Sequence, residues 1–179
     1  MLTLFIVLLI LIALSIILIV FVTTFNQFQD YTIRINEAEE SIDATLRKRF
    51  DLLNKSIGII KANTKEDKVL ENIVELKSKK LTNFELDRKL YDSINEFNTY
   101  KEKYSNLQES ESYLKIELGL FESESEIVSL RKYYNDIITD YNKMVKSVPS
   151  NIIALLMHCK TKPYFDGNEI EKEDKTFAL

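Results

Sequence analysis

The residues of this chain best suited to chemistry lie on its last long amphipathic segment. Glu117, Glu124 and Arg131 stand seven apart, and so do Asn135 and Asn142, within the repeated pairs Tyr134-Asn135 and Tyr141-Asn142. Positions seven apart project from nearly the same side of a helix. On the first amphipathic segment Asn36, Asp43 and Arg49 flank the apolar stripe in a similar way. Two chemistries fit such a set. One is an internal polar cluster that binds a ligand. The other is a set of hydrogen-bonded pairs that fix how helices align, at a cost in stability. A buried charge needs a partner, so at least one of Arg49 and Arg131 is expected to pair with a carboxylate across helices. Asp43, Arg49, Glu124, Arg131, Asn135 and Asn142 are the candidate polar cluster.

Other site chemistries find little support. Di-iron bundles use two Glu-x-x-His motifs and two further Glu residues. Here the one His is His158, with Leu155 three before it, and Glu37 and Glu40 have no imidazole partner. His158 and Cys159 are adjacent, so on a helix they point apart and chelate poorly. No G-x-x-x-x-G-K-[ST], G-x-G-x-x-G or G-x-S-x-G pattern occurs. No catalytic, cofactor-binding or metal-ligating residue is therefore predicted, and the expectation is a protein that is not an enzyme.

The elements that must position the polar residues begin with residues 1–22, MLTLFIVLLILIALSIILIVFV, which carry no charge, Pro or Gly. As a helix, residues 2–22 extend about 31 Å, close to the roughly 30 Å hydrocarbon core of a bilayer. No Lys or Arg precedes the run, the run is long and no Cys stands at its exit, all unlike a cleaved signal. An uncleaved anchor is expected. Arg34, Arg47, Lys48 and Arg49 follow it, so the positive-inside rule places the charged domain in the cytoplasm and the short N-terminal flank outside.

All 24 Lys and Arg and all 28 Asp and Glu lie at or after Asp30, for a net charge of −4. That balance argues against nucleic acid, whose binding rests on basic contacts to phosphate. With 3 Gly and 2 Pro, few long elements are expected. Cys159 stands alone and cannot form an internal disulfide.

Beyond the anchor, apolar residues recur in steps of three and four: Phe28, Tyr31, Ile35, Ala38, Ile42, Leu46, Phe50, Leu53, Ile57 and Ile60. Such steps trace one face of a helix and no strand. Three capping signals then divide the chain: Asn63 or Thr64 with Glu66 or Asp67, Thr82 with Glu85, and Ser105 with Gln108. They predict helices over 28–62, 65–80, 84–103 and 107–147, with the 82–85 break the least defined. The third helix carries Leu86, Leu90, Ile94, Phe97 and Tyr100 on its stripe. Pro149 ends the last helix, and Ser150 caps a short apolar helix over 151–157. The expected fold is all-α: an N-terminal transmembrane helix followed by an antiparallel up-and-down four-helix bundle with long helices. The expected divisions are an anchor over 1–24, a bundle over 25–160 and a charged, mobile tail over 161–179.

Taken in order, these residues resemble the LemA family of bacterial membrane-anchored proteins. The resemblance runs through Phe25-Asn26, the stretch from Ile42-Asp43 to Arg49-Phe50-Asp51-Leu52-Leu53, Glu66 and Leu70, and Tyr104-x-x-Leu107. It continues through Tyr113, Leu120, Ser123-Glu124, Ile127, Arg131, Tyr134-Asn135, Tyr141-Asn142 and Pro149, and closes at Ile153-Ala154 and Tyr164-Phe165. Asn54-Lys55 stands where the family usually has Pro-Asn, and Ser105 where it usually has Pro. The resemblance implies a four-helix up-and-down bundle, a cytoplasmic domain and no catalytic residues.

The expected function is a membrane-tethered interaction or scaffold protein. Its partners are a membrane, crossed by a single pass, and other proteins at that surface. The alternative is a homo-oligomeric membrane-associated scaffold. A third class, a ligand-binding or enzymatic bundle, has the least support.

Overall fold

A computed structural model describes residues 1–76 and 81–165. Every regular element among the described residues is an α-helix. In order they are α1 (Leu2–Thr64), α2 (Glu71–Leu76), α3 (Asn83–Lys103), α4 (Ser105–Gln108), α5 (Glu111–Lys146) and α6 (Ser150–Leu156). The apolar run of residues 2–22 is the first third of α1, and no break separates it from the charged part of that helix.

The chain divides into two compact units. One holds Met1–Glu37 with Tyr134–Tyr164; the other holds Ala38–Tyr133 with Phe165. In the first unit Phe28 and Tyr31 meet the ring of Tyr141 edge-on, at 5.9 and 6.5 Å between centroids. Ile35, Ile137, Ile138, Ile153 and Ala154 are buried with them. In the second unit the stripe of α1 is buried at Ala38, Ile42, Leu46, Leu53 and Ile60, with Phe50 and Ile57 half-buried. There α5 runs antiparallel to α1: Arg49 reaches Ser123, and Leu52 lies 3.1 Å from where a Cβ on Gly119 would sit. Small hydroxyls on the buried faces bond back to their own helices, as Thr45 does to the Ser41 carbonyl and Ser93 to that of Lys89, which spares them an unpaired burial.

The three capping signals have different fates. Thr82 is a complete capping box: its hydroxyl accepts the Glu85 N–H at 3.3 Å, and the Glu85 carboxylate accepts the Thr82 N–H at 2.9 Å. α3 thus starts afresh after Thr82, while residues 77–80 lie outside the described residues. The expected start at Asn63 or Thr64 is instead the end of α1. Both side chains bond backward, to the carbonyls of Ile59 and Ile60. Lys65, at φ 58°, then donates its N–H to Lys61, an αL helix stop made without glycine. The second helix starts only at Glu71. Ser105 is no cap: Tyr104 holds the N-cap position of the single turn of α4 and makes no side-chain cap bond, and α5 begins only at Glu111, with Ser110 accepting the Tyr113 N–H. Ser150 is no cap either; it sits inside α6, and its hydroxyl bonds the carbonyls of Met144 and Ser147.

The Thr82 cap gives a first prediction. Thr82→Ala removes the acceptor at the start of α3 and is expected to cost about 1 kcal/mol in a denaturant melt. The Glu85 carboxyl is held below its ordinary value first by the Thr82 N–H and then by its hydroxyl. Its contribution is present at neutral pH and fades as pH falls through that lowered value. Carbon-detected NMR titration of Glu85 in Thr82→Ala should show the midpoint moving up.

Candidate functional site

The α1 stripe delivers Arg49 into the second unit, where its side chain is 0% exposed. Its Nε–H donates to Ser123 Oγ and one terminal nitrogen to Asp87 Oδ1, each at 3.1 Å. The other terminal nitrogen pairs with Glu124. Asp87, from α3, is 4% exposed and accepts a second guanidinium, that of Arg131. Arg131 also lies over the Phe165 ring, 5.3 Å from its centroid, and Phe165 meets Phe84 edge-on at 6.0 Å. Three helices therefore converge on two cations and two carboxylates, formally neutral, and Ser123 completes the set by donating its hydroxyl hydrogen bond to the Leu120 carbonyl.

Burial, and then the nearby Arg131 guanidinium, push Arg49 down to about 10, which leaves it charged at neutral pH. Burial lowers Arg131 as well. Taking such ions out of water costs several kcal/mol each, recovered only by close pairing and hydrogen bonds. Arg49 has all three: Ser123, Asp87 and Glu124 occupy each of its nitrogens. Both carboxylates are engaged by guanidinium groups, so the arrangement supplies a cross-tie between helices. A surface groove of about 400 Å3 lies elsewhere, lined by Ile57, Lys61, Asp67, Val69, Glu71, Val74 and Glu75. Among the described residues no group of three His, Cys, Asp or Glu is placed to hold a metal ion.

Of the residues expected in one cluster, the structure brings together Arg49, Glu124 and Arg131. Asp43 pairs within its own helix, with Arg47 Nε at 2.7 Å. Asn142 lies in the first unit, where its carboxamide donates to the Lys162 carbonyl and accepts the Lys162 N–H, both at 2.8 Å. Residues 161–165 are thereby held to α5; the rest of the expected tail, 166–179, lies outside the described residues. Asn135 is in that unit too, its backbone carbonyl accepting Thr139 Oγ1. Glu117 ties α5 to α3 through Lys101, 2.7 Å from both its oxygens.

Sequence reasoning missed Asp87, Ser123 and Phe165. The signal for Asp87 was its spacing. It stands three before Leu90 and ten before Phe97, on the face where α3 is fully buried, while Leu86 and Ile94 are only half-buried. Tyr141 is pushed up to about 12 by burial and then by the neighbouring Cys159.

Residues 38–177 match the family model of the LemA family. The chain is also similar to the protein LemA of Metamycoplasma hominis, 27% identical over 157 residues that cover 83% of this chain and 68% of the relative.

Proposed function

The chain belongs to the LemA family, and from that premise we propose that it is a membrane-tethered helical bundle that gathers other proteins at a membrane surface. The carrying observation is that α1 is bare over residues 2–22, each of them exposed, and then continues without a break into packed helix. An apolar helix of that length, uncovered by its own protein, suits a bilayer core. The bundle reading draws support from the second unit, where Arg49 of α1 meets α3 and α5 at once. In this reading α1, α2, α3 and α5 supply the four helices, and the domain faces the cytoplasm.

What the tether presents is an outward row on α5: Leu114, Leu118, Phe121 and Val128, all exposed, with Phe121 at 71%. They recur in steps of three, four and seven on the side away from the buried Tyr113, Leu120 and Ile127, the spacing of a helix that meets another helix. Alkaline carbonate extraction of native membranes tests the tether, and release into the supernatant would remove it. Crosslinking followed by purification tests the role. Phe121→Glu is expected to reduce the recovered partners severalfold while shifting stability by no more than about 0.5 kcal/mol. Recovery of the chain alone under every condition would refute the role. Light scattering that shows mass growing with concentration would favour the homo-oligomeric scaffold instead.

A further inference from the structure

We propose that α6 and the chain flanking it form a second membrane contact, seated on anionic phospholipid beside the point where α1 leaves the bilayer. The inference rests on the reading of residues 2–22 as a span and adds to it a lipid-facing site on the folded domain.

The first observation is the surface of α6. Only Ile153 and Ala154 of this seven-residue helix are buried. Ile152, Leu155 and Leu156 are 59, 75 and 67% exposed, and Val148, just before the helix, is 79% exposed. More apolar side chain faces out of this element than into it. A helix with a bare apolar side and cationic flanks lies in the plane of a membrane interface, its apolar side chains sunk to the headgroup–acyl boundary.

The second observation is charge. The chain carries a net −4, yet the 25 residues from Tyr141 to Phe165 hold four lysines, Lys143, Lys146, Lys160 and Lys162, and no acidic residue. Lysines set on both sides of α6 complement a surface of anionic headgroups, and would repel the basic face of a protein partner.

The third observation is position, and it lies wholly within the first unit. The packed part of α1 begins at Thr24, 7% exposed, two residues after the apolar run ends at Val22. Phe28 then meets Tyr141, and α5 ends five residues later at Lys146. Lys162 returns to the neighbouring Asn142, exchanging two hydrogen bonds of 2.8 Å with its side chain. The segment carrying α6 thus leaves and re-enters the fold at the end of α1 that adjoins the span. Phe21 and Phe25 stack at that level, 6.3 Å between centroids. Seven residues bind a membrane weakly alone. Here the anchor already holds them at the surface, so contact is intramolecular and favoured by effective concentration.

The test uses the full chain in vesicles of phosphatidylcholine, with and without phosphatidylglycerol. In a Cys159→Ser background, Leu155→Cys carries an environment-sensitive nitrobenzoxadiazole label, and Glu109→Cys, exposed in the second unit, carries the same label as reference. Flotation of the same samples reports the anchor. The expected result is blue-shifted emission at 155, quenched severalfold more than at 109 by acyl-chain spin-labelled lipid. The quenching should rise with phosphatidylglycerol and fall with salt. Equal quenching at the two positions in floating vesicles would overturn the α6 contact and leave the span standing. A blue shift that escapes lipid quenching and grows with the protein-to-lipid ratio would assign the surface to a second copy and overturn it too. Failure to float would overturn the span reading and this contact with it.

Discussion

Replacing Arg49 with methionine is expected to cost the fold about 3–5 kcal/mol, the range for a buried pair that loses one partner. The loss is not shared evenly. Glu124 is 42% exposed and can turn to water. Asp87, 4% exposed, cannot, and would keep only Arg131. Most of the cost is therefore the uncompensated Asp87 charge. Arg49→Lys should recover little of it, because an ammonium cannot reach Ser123, Asp87 and Glu124 from one planar fork. Arg49→Met with Asp87→Leu should recover much of the loss, since an apolar replacement of both partners removes the orphan. Arg131, one-third exposed, is then free to hydrate. Urea denaturation of wild type, Arg49→Met, Asp87→Leu and the double variant in detergent, followed by far-ultraviolet circular dichroism, closes the cycle and gives the coupling directly. A loss below about 1 kcal/mol for Arg49→Met would mean that the cluster is hydrated and carries little energy.

Phe97→Ala is the second large effect, expected to cost about 3–5 kcal/mol. Phe97 and Tyr113 are both 0% exposed, with ring centroids 4.3 Å apart and planes within 8°. Removing the Phe97 ring leaves a void against one face of Tyr113 and forfeits the ring pair, itself worth about 0.5–1.5 kcal/mol. Tyr113→Phe separates packing from polarity. It keeps the stack and loses only the bond from the Tyr113 hydroxyl to the Phe97 carbonyl, 2.6 Å long, for about 1 kcal/mol. Thermal unfolding of both variants checks the ratio. Equal losses would mean that the hydroxyl, and not the ring, organises this part of the core.

The sequence was most legible where the signal was long and local. Ten apolar positions in unbroken steps of three and four marked the α1 stripe, and each is buried or half-buried. The Thr82 box was readable because its donors and acceptors lie within four residues. Asn63 and Thr64 were misread because Ser, Thr and Asn near a helix end look alike whether they open it or close it. The deciding feature was Lys65 in the left-handed region, a position where a glycine would have been legible and a lysine is not. At the candidate site, Arg49 and Arg131 stood out as charges beside an apolar face. Asp87 did not, because Leu86 next to it offered an apolar residue for nearly the same place. Which carboxylate closes a buried pair is set by packing between distant segments, and periodicity within one helix does not carry that information.

Asp87 held between Arg49 and Arg131 has a mechanical consequence. An apolar face tolerates a shift of two turns along its partner, because one set of hydrophobic side chains replaces another. The charges of α5 do not, since they change sign across seven residues. Pushing α5 two turns toward its own C-terminus would set Glu124 against Asp87, carboxylate on carboxylate. Drawing it back by the same amount would set Arg131 against Arg49. Like charges at such depth oppose both moves. The cluster is thus a detent against piston motion of α5 along α1.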